Sequence, residues 1–299
     1  MNSRLKIKRG IAIVIILATA FSLPHNVWAN DDDHALWASF EMSKKVNKKF
    51  KIGAEFEYRT TDYLKSTERF SVGINCQYKI TDWLKASAGH IFIFGHNPSK
   101  AKEHYDVVNE LTGEEILDGF NYEESYWEKR NRVYIAFTGE CKIGRVSLSL
   151  RERLQYTRTH AEIIDEEKHR FTTNEEPVYD ENGNLVFGTD GWPLMQTTTA
   201  WDPVRTEEET KKHKNNTVLR SRLTAKWDIK NCKFNPFIST ELYTRIDDWR
   251  GFEKLRSRIG ASYKIDKDNS IEFYYLFEKA GKKDGVNTHA IGVGYSLDL

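Results

Sequence analysis

The chain has 299 residues, with 45 Lys+Arg against 44 Asp+Glu, 39% hydrophobic residues and 13% aromatic ones. That length allows one large domain or two small ones, and the near balance of charge excludes bulk attraction to nucleic acid. Three cysteines, Cys76, Cys141 and Cys232, leave one disulfide possible but are no disulfide framework, and without a C-x-x-C pair they make no zinc site.

The N-terminus reads as a secretory signal peptide. Arg4, Lys6, Lys8 and Arg9 form a positive region, Ile11 to Phe21 is apolar, and Val27-Trp28-Ala29 ends the stretch in a small-residue cleavage pattern. Cleavage after Ala29 gives two segments, 1–29 as signal peptide and 30–299 as mature chain. The mature chain keeps 41 Lys+Arg against 44 Asp+Glu, a net charge of −3. It has no run of 18 apolar residues, which excludes helical membrane spans.

From there the pattern has period two. Candidate strands lie at 36–43, 50–59, 69–80, 84–95, 126–143, 145–156, 215–230, 233–245, 252–265, 269–279 and 287–299. In 50–58, Phe50, Ile52, Ala54, Phe56 and Tyr58 alternate with Lys51, Gly53, Glu55 and Glu57. Strict alternation marks a strand with one apolar and one polar face. The register of 84–95 is ambiguous, because Ile91, Phe92, Ile93 and Phe94 are consecutive apolar residues. These segments are long against a usual globular strand of about 5–6 residues.

Short connections at 81–82, 143–145, 230–232 and 266–268 alternate with longer ones at 61–68, 95–125, 157–214, 246–251 and 280–286. Long strands with short turns at one end and long loops at the other predict an all-β fold, an antiparallel transmembrane β-barrel of 10–12 strands with long extracellular loops. Eleven segments are visible, whereas an even number is the norm for bacterial single-chain barrels. The long 157–214 insertion also carries an extra-membrane hairpin, "VYDENGNLVF", turning at Asn182-Gly183. Trp83, Trp227 and Phe234 fall at the short-turn end, and Tyr58, Tyr63, Trp127 and Trp249 at the long-loop end, as two aromatic girdles would.

The ordered set "LW" (Leu36-Trp37), "NRVYIAF" (from Asn131), "NPFISTELY" (from Asn235) and three Leu-Arg-x-Arg strands resembles the bacterial domain-of-unknown-function family 2490. The resemblance covers nearly all of the mature chain. It implies an outer-membrane barrel and names no activity. The 157–214 insertion is long for that pattern.

The Leu-Arg-x-Arg strands, "LRERL", "LRSRL" and "LRSRI", put arginines on one face and leucines on the other. On a lipid face each arginine would cost about 2–4 kcal/mol at the bilayer midplane, so the arginines belong to the lumen. The same parity gives an arginine belt of Arg59, Arg69, Arg130, Arg132, Arg151, Arg153, Arg220, Arg222, Arg245, Arg256 and Arg258. Lumenal carboxylates are Glu55, Glu57, Glu241 and Glu278. Such a belt selects anions, or it locks a narrow barrel through Arg–Glu pairs.

The expected protein is therefore an outer-membrane barrel, reached by secretion across the inner membrane. Its function is a small channel for anionic or zwitterionic solutes, or else a closed structural or surface-binding barrel acting through 157–214. That loop mixes Glu166-Glu167, Glu175-Glu176 and Glu207-Glu208-Glu209 with Lys211-Lys212-His213-Lys214. A lipid-modifying enzyme is a third class. It rests on His90 with Ser87 or His160 beside Thr159, without a nucleophile motif, and no catalysis is expected. His90, His96 and His104 are too irregularly spaced for a metal site, and no cofactor is expected. Expected partners are outer-membrane lipid, lipopolysaccharide and the barrel-assembly machinery, with no nucleic acid.

Overall fold

A computed structural model describes residues 32–108, 115–247, 251–281 and 285–299. The signal peptide and Trp249 lie outside the described residues. Among the described residues there are sixteen strands and no helix.

Eleven strands close a barrel. They are β1 (Asp33–Lys45), β2 (Phe50–Thr61), β3 (Ser66–Lys79), β4 (Leu84–Asn97), β7 (Tyr126–Ile143), β8 (Val146–Thr159), β12 (Lys214–Trp227), β13 (Phe234–Arg245), β14 (Gly251–Lys264), β15 (Asn269–Ala280) and β16 (Thr288–Asp298). Each matches one alternating segment of the sequence. The remaining five, β5 (Lys100–Val108), β6 (Glu115–Glu123), β9 (Glu162–Pro177), β10 (Met195–Trp201) and β11 (Arg205–Lys211), form a separate sheet.

Neighbouring barrel strands pair antiparallel with one exception. β1 pairs β16 in parallel, from Asp33↔Thr288 to Ser43↔Asp298. An odd count requires this, because strands that alternate in direction bring the first and last of eleven to the seam running the same way. The count of eleven therefore stands, and the expectation of an even number does not.

Solvent preference sorts the faces. Val72, Ile74, Ile135, Leu223, Ile238 and Ile259 are exposed on the outer wall, where an apolar band suits lipid. Many inward residues are buried, among them Trp37, Tyr134, Arg220 and Glu241. The ambiguous strand β4 resolves with Ile91 and Ile93 packed inside against Tyr134 and Ala136. Phe92 and Phe94, on the opposite face, meet edge to face at 4.6 Å. A second interior cluster joins Ala35, Trp37, Leu276 and Ala290, with Tyr274 against it. Gly292 lies opposite Tyr274 in the register, and a Cβ there would fall 1.9 Å from the ring, so only glycine leaves room.

Two connections differ from the sequence reading. The segment 61–68 is a tight turn of residues 62–65 rather than a long loop. Its Asp62, Tyr63 and Leu64 all have positive φ, at 51°, 53° and 69°, a strained region for residues with a Cβ. The 178–187 hairpin turns at Asn182-Gly183, with Gly183 at φ 79° and the Asp180 carboxylate accepting from the Asn182 and Asn184 amides. It carries only isolated bridges, Tyr179↔Leu185 and Phe187↔Pro193. All three cysteines are free, so no disulfide joins them.

The chain divides into two compact units. One holds the barrel strands β1–β4, β7, β8 and β12–β16, and the other holds β5, β6 and β9–β11. Both long connections thus build the second sheet, in the order β10-β9-β6-β5 with β11 also on β9. Gly119 permits its closest strand approach, since a Cβ there would sit 2.0 Å from the His169 carbonyl oxygen. Phe120 stacks on His169 at 4.4 Å, and Arg170 donates to Asn121 Oδ1 at 2.8 Å and to the Phe120 carbonyl at 3.3 Å.

Candidate functional site in the barrel interior

The three Leu-Arg-x-Arg strands converge because of their register. β8 and β12 place Arg151 opposite Arg222 and Arg153 opposite Arg220. β13 then places Glu241 between Arg222 and Arg256, and β15 places Glu278 beyond Arg256. Like charges directly opposite in a ladder repel, so the row needs carboxylates of its own.

Glu241 supplies most of this compensation. It is 2% exposed and accepts from Arg151 Nη2 at 2.7 Å, Arg220 Nη2 and Arg222 Nη2 at 2.9 Å each, and Tyr243 OH at 3.1 Å. Glu57 joins Arg59 and Arg69 at 2.8 Å each. Glu278 pairs with Lys254 at 2.9 Å and with Arg256. Aromatic faces carry the flat guanidinium groups: Arg59 lies 3.4 Å and Arg256 4.6 Å from the Trp37 ring, Arg153 lies 3.9 Å from Tyr134, and Arg220 lies 4.5 Å from Tyr243.

The side chains leave an interior cavity of about 200 Å³, lined by nine of the eleven expected arginines and by Glu41, Glu55, Glu57 and Glu272. Arg130 and Arg245 are not part of it; Arg130 pairs with Glu128, and Arg245 with Glu253 at 3.4 Å. Of the expected carboxylates, Glu55 and Glu57 line the cavity, while Glu241 and Glu278 act as counter-ions to its arginines. Among the described residues, Arg132 has only Thr157 Oγ1 at 3.0 Å and Arg258 only Ser239 Oγ at 3.2 Å as polar partners. Arg153 rests on the Tyr134 ring. The Nε atoms of Arg59, Arg69, Arg151, Arg153 and Arg222 are buried with no acceptor.

The sequence reading missed Trp37, Glu41, Tyr134, Tyr243, Glu272 and Tyr274, all inward. Strict parity finds most of them, since Trp37 and Glu41 share a face of β1, and Glu272 and Tyr274 share one with Glu278. It also passed over Glu152, which has the outward parity of Leu150 and Leu154. Glu152 accepts from the Ser221 hydroxyl at 2.6 Å on that wall.

The other candidates do not form reactive sites. Ser87 and His90 are an odd number of residues apart on β4 and face opposite ways. His90 Nε2 lies 3.0 Å from Asn131 Oδ1, and Asn131 Nδ2 lies 2.8 Å from His160 Nε2. His96 meets the Trp127 ring at 5.0 Å, whereas His104 belongs to the second unit and bonds Asp118 at 2.7 Å. In that unit Glu123, Glu166 and Glu209 gather within 4.8 Å. Lys102 pairs with Glu123, and Lys211 Nζ lies 3.0 Å from Glu123 and 2.6 Å from Glu209. Desolvation raises the Glu123 carboxyl, yet these two lysines outweigh it and hold the group below its ordinary value.

A match to the family described as "Protein of unknown function (DUF2490)" runs over residues 34–289. The chain belongs to this family. The DUF2490 match extends from β1 into β16 and so spans the barrel and both insertions. No curated protein matches the chain. Among solved structures the chain is similar to the NanC porin in a rhombohedral crystal form. The TM-score is 0.41 at 11% identity, covering 90% of this chain and 100% of that one.

Proposed function

We propose that this chain is an outer-membrane barrel that forms a narrow channel for small anionic or zwitterionic solutes. One observation carries the reading: nine arginines face four glutamates around a single interior cavity. A low-dielectric wall lined by one sign of charge concentrates counter-ions, and rings of arginine favour anions. On this reading the outer band meets outer-membrane lipid and lipopolysaccharide, and insertion depends on the barrel-assembly machinery. His90 and His160 both bond the Asn131 amide rather than a hydroxyl.

The test is reconstitution in planar bilayers under a salt gradient. Small conductance steps with a reversal potential favouring anions are expected, and Arg132→Gln/Arg153→Gln should move that potential toward the cation side. Absence of steps, or a cation preference indifferent to those substitutions, overturns the proposal.

A second reading, a closed barrel acting through its inserted sheet, has its own support. Glu241 binds three arginines to one another across β8, β12 and β13, as a lock would. The second unit exposes Trp192 (73%), Tyr179, Phe187 and Trp201, an apolar surface suited to contact. Deleting 160–210 separates the two: a channel keeps its ion preference, whereas a surface-binding protein loses its phenotype.

A further inference from the structure

We infer that the barrel interior holds a two-pole site for a compact zwitterion of amino-acid size, with the carboxylate at Arg153 and the ammonium at Glu55, Glu41 and Glu272. The inference rests on the lumen being open to solute, as in the channel proposal, and goes on to name the solute.

The starting observation is a mismatch. Most interior charges are paired, and the pairing is economical, with Glu57 serving two arginines and Glu241 three. Against that background Arg132, Arg153 and Arg258 have no carboxylate within 4.0 Å among the described residues. Glu41, Glu55 and Glu272 likewise have no cation within that distance, although all six groups line the same cavity. Unpaired charges of both signs that face one space without closing on each other are costly in a low-dielectric interior. The strand framework keeps them apart. Glu41 and Glu55 are direct cross-strand partners, so these two like charges share one edge of the cavity. Arg153 is pinned on the Tyr134 ring, and its buried Nε has no acceptor.

A solute with a single charge would satisfy one edge and leave the other bare. A solute carrying both charges satisfies both edges. The cavity of about 200 Å³ has room for several waters, and so for a solute of amino-acid size. Water reaches this edge of the cavity, because Glu41 is solvent-exposed whereas Arg59 and Arg256 are buried.

The experiment is titration calorimetry on the full chain refolded in detergent, with glycine, β-alanine and 4-aminobutanoate as probes. Each is compared with its hydroxy acid, which keeps the carboxylate, and with its amino alcohol, which keeps the ammonium. At least one amino acid should bind tenfold or more tightly than both of its one-charge analogues. Arg153→Gln and Glu55→Gln should each weaken that binding at least tenfold while retaining the heat-modifiable gel mobility of a folded barrel. If a variant does not fold, the ligand comparison on the unaltered chain still decides. Equal binding of the hydroxy acid would make this a plain anion site and overturn the inference, as would no binding by any of the three. Zwitterion binding without conductance would remove the channel and leave the site standing. Anion conductance without zwitterion binding would do the reverse.

Discussion

The barrel and the inserted sheet are both antiparallel and both rich in ion pairs, yet they use charge in opposite ways. In the barrel the ionic groups are inside and shared: Glu241 is 2% exposed and touches three arginines. In the sheet the sharing is smaller and wetter: Glu123 serves two lysines, of which Lys102 is half-exposed, and Lys168 pairs with Glu207 at the surface. The apolar residues differ as well, forming an exposed band outward on the barrel and, in the sheet, an aromatic contact chain of Phe120, His169, Phe171 and the exposed Trp201. A strand has no fixed inside. The solvent on each face decides where leucine and arginine go, and sharing of counter-ions follows where water is scarce.

The sharpest way to break this contrast is at Glu241. Glu241→Gln strands Arg151, Arg220 and Arg222, and loss of one partner from a buried network costs about 3–5 kcal/mol. Urea unfolding of vesicle-inserted protein should show it, and a change under about 1 kcal/mol would mean that the three arginines need no common counter-ion. Next is the outer wall. Leu223→Arg should cost about 2–4 kcal/mol in the same assay, while Trp192→Arg in the sheet should leave barrel unfolding unmoved. Equal effects would remove the distinction between lipid-facing and water-facing apolar residues.

The third test concerns acid. Lys102 and Lys211 hold the Glu123 carboxyl below the ordinary 4.5, so its stabilisation is complete above that pH and is lost as pH falls through the lowered folded value. Acid should therefore loosen the sheet at Glu123 by on the order of 1 kcal/mol, since Lys102 is half exposed and screened. Limited proteolysis of the sheet across that pH range reads it, and Glu123→Gln should flatten the response. Smallest of all is Lys79→Ala, whose partner Asp82 is 98% exposed. No measurable change in unfolding is expected there.

Much of this was legible before any coordinates. All eleven barrel strands are visible because each alternates under two different solvents, and the arginine parity follows from the same alternation. What escaped has physical reasons. β9, "EIIDEEKHRFTTNEEP", is polar on both faces apart from Ile163, Ile164 and Phe171, so it offers no stripe to recognise. The 62–65 turn lacks glycine and proline and reads as part of a longer loop. The counter-ion economy is invisible in one dimension, because Glu241 lies 90 residues from Arg151 and meets it only through the register of β8, β12 and β13. Trp37 was seen as part of a short motif but not as the ring beneath Arg59 and Arg256.

The parallel seam has a consequence for the two ends of the molecule. β1 starts at the rim where Thr61 donates to Asp33, and β16 finishes at the rim where Lys51 pairs with Asp298. In a barrel with an even number of strands both ends would emerge on the same side. Here the barrel is a polarised thread: on the outer-membrane proposal, an epitope placed just before Asp33 and another appended after Leu299 should be reachable from opposite faces of the membrane. An antibody added to intact cells should find one tag and miss the other.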